Sequence, residues 1–167
     1  MSTPQPGDYL VIKSRGWAAR LIQIGTRSRW NHAAIYVGLR NGVPSIVEAK
    51  PSGVGFSPLS NYHREDYVVS KRNLTSWERI KVVGGAARLV KKRTKYGWLD
   101  IVALSAVQLN ACPAWLRSIA KNDDRLVCSQ VVSACWAKAG VEAVPNKDPW
   151  AVTPGDLADE ELVELAT

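Results

Sequence analysis

Residues Trp30-Asn31-His32-Ala33-Ala34-Ile35-Tyr36-Val37-Gly38 decide how this chain is read. Ile35, Tyr36 and Val37 are β-branched or aromatic, the types that suit a pleated, half-buried surface. Asn41-Gly42 follows, a pair that favours a tight hairpin turn. A strand is therefore expected over His32–Leu39, with Ser45–Ala49 as its hairpin partner. Tyr9–Lys13, opened by the Gly7-Asp8 turn, and Tyr67–Lys71 read as further strands. Residues 51–66 contain Pro, Gly and Ser and read as loop.

The second half changes period. Ser76–Arg93 is helical in pattern, with Thr75 or Ser76 as its cap. Trp98–Leu109 reads as another helix, and Val127–Lys138 as a third, closed by Gly140. Near the start, Trp17, Leu21 and Ile24 have helical spacing, and Gly25 is placed to end that segment. Beyond Pro145 the chain reads as loop, with a short strand or helix over Leu162–Ala166. Mostly β followed by mostly α implies an α+β fold. A length of 167 residues implies one domain, 1–167, large enough to bury a core without metal or disulfide support.

Composition excludes several classes. With 46% hydrophobic and 22% charged residues, the chain is not of disordered composition. The longest apolar run, Trp98 to Leu109, is interrupted by Asp100 and falls short of the ~20 residues a membrane span needs. The first residues, Met1 to Asp8, carry neither a basic region nor an apolar run, so no secretory signal is expected. The expected location is the cytoplasm, or export without a cleaved signal, as for a phage-associated protein. The net charge of +7 favours an anionic partner. Its densest cluster is Arg88, Lys91, Lys92, Arg93 and Lys95. No finger spacing or ribonucleoprotein signature accompanies it, so no specific nucleic-acid partner is expected. Three Cys and two His offer no CxxC or HxxxH pair, so neither a metal site nor another cofactor is expected. The three thiols are expected to be reduced.

Three positions are suited to chemistry. Cys128 stands at the start of the helix Val127-Cys128-Ser129-Gln130-Val131-Val132. The positive end of a helix dipole favours the thiolate, which is the nucleophile, and free first-turn N–H groups are placed to hold an oxyanion. A buried structural thiol is the other reading of that position. Cys135, two turns on, reads as core, and Cys112, before Pro113, as incidental. His32 heads a rigid strand, which suits a positioned base; a strand-end imidazole satisfied by backbone is the alternative. His63, in a polar loop, reads as a surface residue. Glu48 interrupts a β-branched strand expected to pair with that of His32. It is placed either to orient the imidazole or to face outward.

Taken in order, these segments resemble the circularly permuted branch of the NlpC-type papain-like cysteine peptidases, which also holds the lecithin retinol acyltransferase-like proteins. The resemblance is carried by Pro6-Gly7-Asp8-Tyr9-Leu10-Val11-Ile12, by Trp30 to Gly38, and by Val47-Glu48-Ala49. It continues through Lys95-Tyr96-Gly97-Trp98, Val127 to Val132, and Thr153-Pro154-Gly155-Asp156-Leu157. His and Glu precede Cys, as the permuted branch requires. The sequence departs from many cell-wall peptidases in having Val127, not Asp, before the Cys-Ser pair.

The resemblance implies a permuted papain-like fold, a small antiparallel sheet packed against the nucleophile helix and further helices. It implies a Cys128–His32–Glu48 triad, with Ser129 and Tyr96 supporting the oxyanion or lining the substrate site. The implied activity is thiol-dependent amide hydrolysis of peptidoglycan peptides through an acyl-enzyme. Acyl transfer or lipid or thioester hydrolysis on the same triad is the alternative within the family. A non-catalytic interaction module that keeps the fold is the alternative outside it.

Overall fold

The computed structural model describes residues 3–15, 23, 28–96 and 125–163. Five strands form an antiparallel sheet: β1 (Tyr9–Ile12), β2 (His32–Arg40), β3 (Val43–Lys50), β4 (Gly53–Pro58) and β5 (Tyr67–Val69). Their spatial order is β4-β3-β2-β1-β5. The β2–β3 hairpin turns on Asn41 and Gly42, with φ of 51° and 78°. Positive φ at both central residues is what such a two-residue turn requires.

Two elements correct the sequence expectation. Residues 51–66 are not simply loop, because β4 lies within them and pairs with β3 along its whole length. Pairing, rather than local propensity, forms this strand, since Gly53 and Gly55 weaken it intrinsically. The segment after Pro145 is likewise not all loop. It contains the helix α3 (Pro154–Val163), which runs across the start of the short element expected at Leu162. The expected helices at Trp17–Ile24 and Trp98–Leu109 lie outside the described residues, apart from Gln23.

The helix α1 (Ser76–Lys91) starts at a capping box. Thr75 Oγ1 accepts from Glu78 N, and the Glu78 carboxylate accepts from Thr75 N. The helix α2 (Cys128–Ala139) ends at Gly140 in the left-handed region, φ 87°. A short parallel pair, β6 (Lys95–Tyr96) with β7 (Arg125–Leu126), leads directly into α2. Among the described residues, no helix is long and apolar enough to cross a membrane.

The sheet has two buried faces. Strand alternation sends Tyr9, Val11, Ala33, Ile35, Val47 and Ala49 to one face, where they pack with Val82 and Ala86 of α1 and Val131, Val132 and Trp136 of α2. Trp136 is completely buried, lies 4.9 Å from the Tyr9 ring and donates from Nε1 to Gly7 O at 3.2 Å. Leu10, Ile12, Ala34, Tyr36, Ile46, Tyr67 and Val69 form a second apolar cluster on the other face. Leu59 and Tyr62, from the turns after β4, pack against it. These turns put a wall over the second face, where strand alternation also places His32 and Glu48.

Candidate active site

Strand register brings the acid and the imidazole together. Ala34 is opposite Glu48, and Ile12 is opposite His32. With a side-chain period of two, His32, Ala34 and Glu48 share one face, His32 lying diagonally across from Glu48. Diagonal neighbours are within reach of long side chains. His32 Nε2 donates to Glu48 Oε2 at 2.6 Å, and both residues are buried. The outward-facing reading of Glu48 is thus replaced by an inward carboxylate, only 1% exposed.

Cys128 is the first residue of α2, as His32 is of β2. The backbone before His32 is held by Asn31, whose Oδ1 accepts from Ser14 N at 2.9 Å and whose Nδ2 donates to Ser14 O at 3.0 Å. The backbone before Cys128 is held by Gln130. Its Oε1 accepts from Val127 N at 3.0 Å, and its Nε2 donates to Trp150 O at 2.9 Å.

Electrostatics ties the three groups into one unit. Burial acts to lower the His32 pKa, but the charge and hydrogen bond of the Cys128 sulfur, followed by those of Glu48, outweigh it and raise the imidazole from 6.5 to about 9. Burial also works against the Glu48 charge. The hydrogen bond and charge of His32, with smaller contributions from the nearby Lys50 and Ser57, prevail and hold its pKa down at about 2. The imidazolium and the carboxylate are therefore the resting forms across neutral pH.

Lys50 and Tyr62 complete the shell around Glu48. Lys50 Nζ sits 2.7 Å from Glu48 Oε1 as an ion pair, while its aligned hydrogen bond goes to Ser57 Oγ at 2.9 Å. Tyr62 donates its hydroxyl to Glu48 Oε2 at 2.6 Å, and its ring centroid lies 6.0 Å from that of His32. Burial, then the charge and hydrogen bond of Glu48, then the charge of Cys128 raise the Tyr62 pKa, so the phenol stays protonated and donates. Sequence reading missed both residues. Alternation from Glu48 was the available signal for Lys50, two positions on. Tyr62 had no local signal.

The other expected site residues are placed as follows. Ser129 is buried and donates its hydroxyl to Val152 O at 2.7 Å, so its side chain braces α2 and only its backbone N–H remains for an oxyanion. Tyr96 pairs with Leu126, two residues before Cys128, but its side chain lies outside the described residues. His63 is exposed, just before the turn at Arg64–Asp66. Cys135 is a buried free thiol whose pKa burial pushes up to about 12, against a smaller opposing effect of Lys138. Cys112 lies outside the described residues. Among the described residues, no three His, Cys, Asp or Glu side chains are grouped to hold a metal ion.

No protein-family model matches this sequence, and no curated protein does. Among solved structures, the chain is similar to the metalloprotein YiiX of Escherichia coli O157:H7. The TM-score is 0.62 at 23% identity, covering 89% of this chain and 78% of that one. At that identity the likeness is one of fold. The fold supported is a small α+β domain with an antiparallel sheet and few helices.

Proposed function

We propose that this protein is a cysteine-dependent amide hydrolase of permuted papain-like architecture. Its substrates in this reading are peptide links of cell-wall fragments. The observation that carries the proposal is the buried His32–Glu48 hydrogen bond at 2.6 Å, on an imidazole that also feels the charge and hydrogen bond of the Cys128 sulfur.

The chemistry follows from that arrangement. The Cys128 thiolate attacks the substrate carbonyl carbon, and the carbonyl oxygen takes the electron pair. First-turn N–H groups of α2 stabilise this oxyanion. As the C–N bond breaks, His32 donates its proton to the leaving amine, and a thioester remains on Cys128. His32, now neutral, takes a proton from water as the oxygen attacks the thioester. The C–S bond breaks, and the thiolate–imidazolium pair is restored. Glu48 fixes the imidazole orientation and stays ionised throughout. The metalloprotein description of YiiX suggests a metal, but the described residues do not offer a matching donor group. No step here uses one.

The test is the rate of Cys128 alkylation by iodoacetamide at pH 6.5, followed by mass spectrometry, in wild type and His32→Ala. Loss of the partner cation should slow labelling at least ~10-fold, since the thiolate is the reactive form. Turnover of wall peptides should then be absent in Cys128→Ala. Equal labelling of Cys128 in both proteins would refute the Cys–His pair.

A further inference from the structure

We propose that Lys50 and Tyr62 are positioning residues that set the proton affinity of His32 through Glu48. This inference rests on the triad reading and deepens it. Glu48 has two carboxylate oxygens and three close partners. Oε2 receives His32 and Tyr62, each at 2.6 Å, and Oε1 faces the Lys50 ammonium at 2.7 Å. A general acid that must release its proton in one step and regain it in the next works best with an affinity near the working pH. A buried carboxylate bound to the imidazole alone would direct its whole charge at it. That would make imidazolium too poor a proton donor.

Two features divert that charge. Lys50 pairs with Oε1 at 2.7 Å, so less of the carboxylate charge bears on the imidazolium. Tyr62 shares Oε2, which weakens that oxygen as an acceptor for His32. The fold holds both residues for this task. Lys50 follows Glu48 by two positions on β3, so it projects to the same face, and it is opposite Gly53 in β4, with Gly55 opposite Glu48. Tyr62 comes from the turn that covers this face. Among the described residues, the charged and titratable groups acting on the His32–Glu48 pair are Cys128 from α2, Lys50 from β3 and, through its hydrogen bond, Tyr62 from the covering turn, with the Ser57 hydroxyl from β4.

The experiment is an NMR titration of the His32 ring carbon, in the full-length protein with labelled histidine. The chain has only two histidines, so a His63→Gln background assigns the signal. Lys50→Met and Tyr62→Phe should each move the His32 midpoint upward, Lys50→Met by about one pH unit. Lys50→Arg, which keeps the cation, should restore the wild-type value. A merely structural role would lower stability without moving the midpoint in this direction. Unchanged or lowered midpoints in folded Lys50→Met and Tyr62→Phe would overturn the inference. Cys128→Ala separates the two levels. If it lowers the midpoint while the other two variants do nothing, the triad stands and this inference fails. If it changes nothing, the Cys–His pair itself fails, whatever Lys50 and Tyr62 do.

Discussion

Glu48→Gln is the substitution that bears most directly on the site. It keeps the shape of the side chain and removes one buried negative charge. In the wild type that charge lies 2.6 Å from His32 Nε2 and 2.7 Å from Lys50 Nζ. Without it, His32 loses a favourable neighbour and the Lys50 cation is no longer balanced. The His32 pKa should then fall from about 9 by roughly one to three units, the usual effect of one close opposite charge. The energetic consequence has a definite sign. His32 has a folded pKa above its reference value of 6.5. Its contribution to stability is therefore complete below about pH 6.5 and is lost as pH rises through about 9. At about 1.4 kcal/mol per pH unit, that contribution is about 3 kcal/mol. Wild-type stability, read by urea unfolding at pH 6 and pH 10, should fall by an amount of that order from this group. Glu48→Gln should be less stable than wild type at pH 6 and should lose less between the two pH values. The His32 midpoint, read by NMR, should fall in parallel. A midpoint still near 9 in the variant, with an undiminished alkaline loss of stability, would refute the coupling of Glu48 to His32.

Two further substitutions separate bracing from chemistry. Ser129→Ala removes the buried hydrogen bond to Val152 O and should cost about 1–2 kcal/mol in urea unfolding, because the carbonyl is left unpaired. The pH profile of Cys128 alkylation should not change; a changed profile would give the Ser129 hydroxyl a part in the site. Thr75→Ala removes the α1 capping box and should lower stability by about 1 kcal/mol, measured in the same way. No loss would mean that tertiary packing alone fixes the start of α1.

The parts of the fold that were legible in the sequence are those fixed by local chemistry. Thr75 caps α1, Gly140 closes α2, and Asn41-Gly42 turns the hairpin. In each case a side chain or a positive φ acts within a few residues. The illegible parts depend on distant partners. Gly53-Val54-Gly55-Phe56 has weak strand character alone and becomes β4 by pairing with β3. Thr153-Pro154-Gly155-Asp156 has the composition of a turn, yet Thr153 Oγ1 accepts from Asp156 N at 3.2 Å, and the Asp156 carboxylate accepts from Thr153 N at 2.7 Å. That is a capping box, and Pro in the first helical turn is compatible with it. His32, Glu48 and Cys128 stood out because each residue type is chemically unusual in its setting. Tyr62 did not, because a tyrosine in a polar turn is unremarkable until the turn is known to cover Glu48.

The same logic explains why the site lies at the beginnings of two elements. A residue that opens a strand or a helix has regular structure on one side only, so its other side is free to face a partner. That freedom leaves the preceding backbone without ladder or helix hydrogen bonds, and buried polar groups left unpaired are costly. Asn31 and Gln130 answer this requirement in the same way. Each is a buried side-chain amide beside a candidate catalytic residue, and each uses both its oxygen and its nitrogen. Asn31 ties the approach to His32 onto Ser14, and Gln130 ties Val127 and Trp150 together around Cys128. Cys128 and His32, the candidate nucleophile and acid, lie 96 positions apart in the sequence. Trp136, about two turns beyond Cys128, anchors α2 to Tyr9 of the opening strand and to Gly7 just before it. β1 in turn pairs with β2 at His32 itself. The geometry of the pair is thus transmitted through a buried tryptophan and one strand pairing, so the core that stabilises the fold also sets the reach of the imidazole to the sulfur.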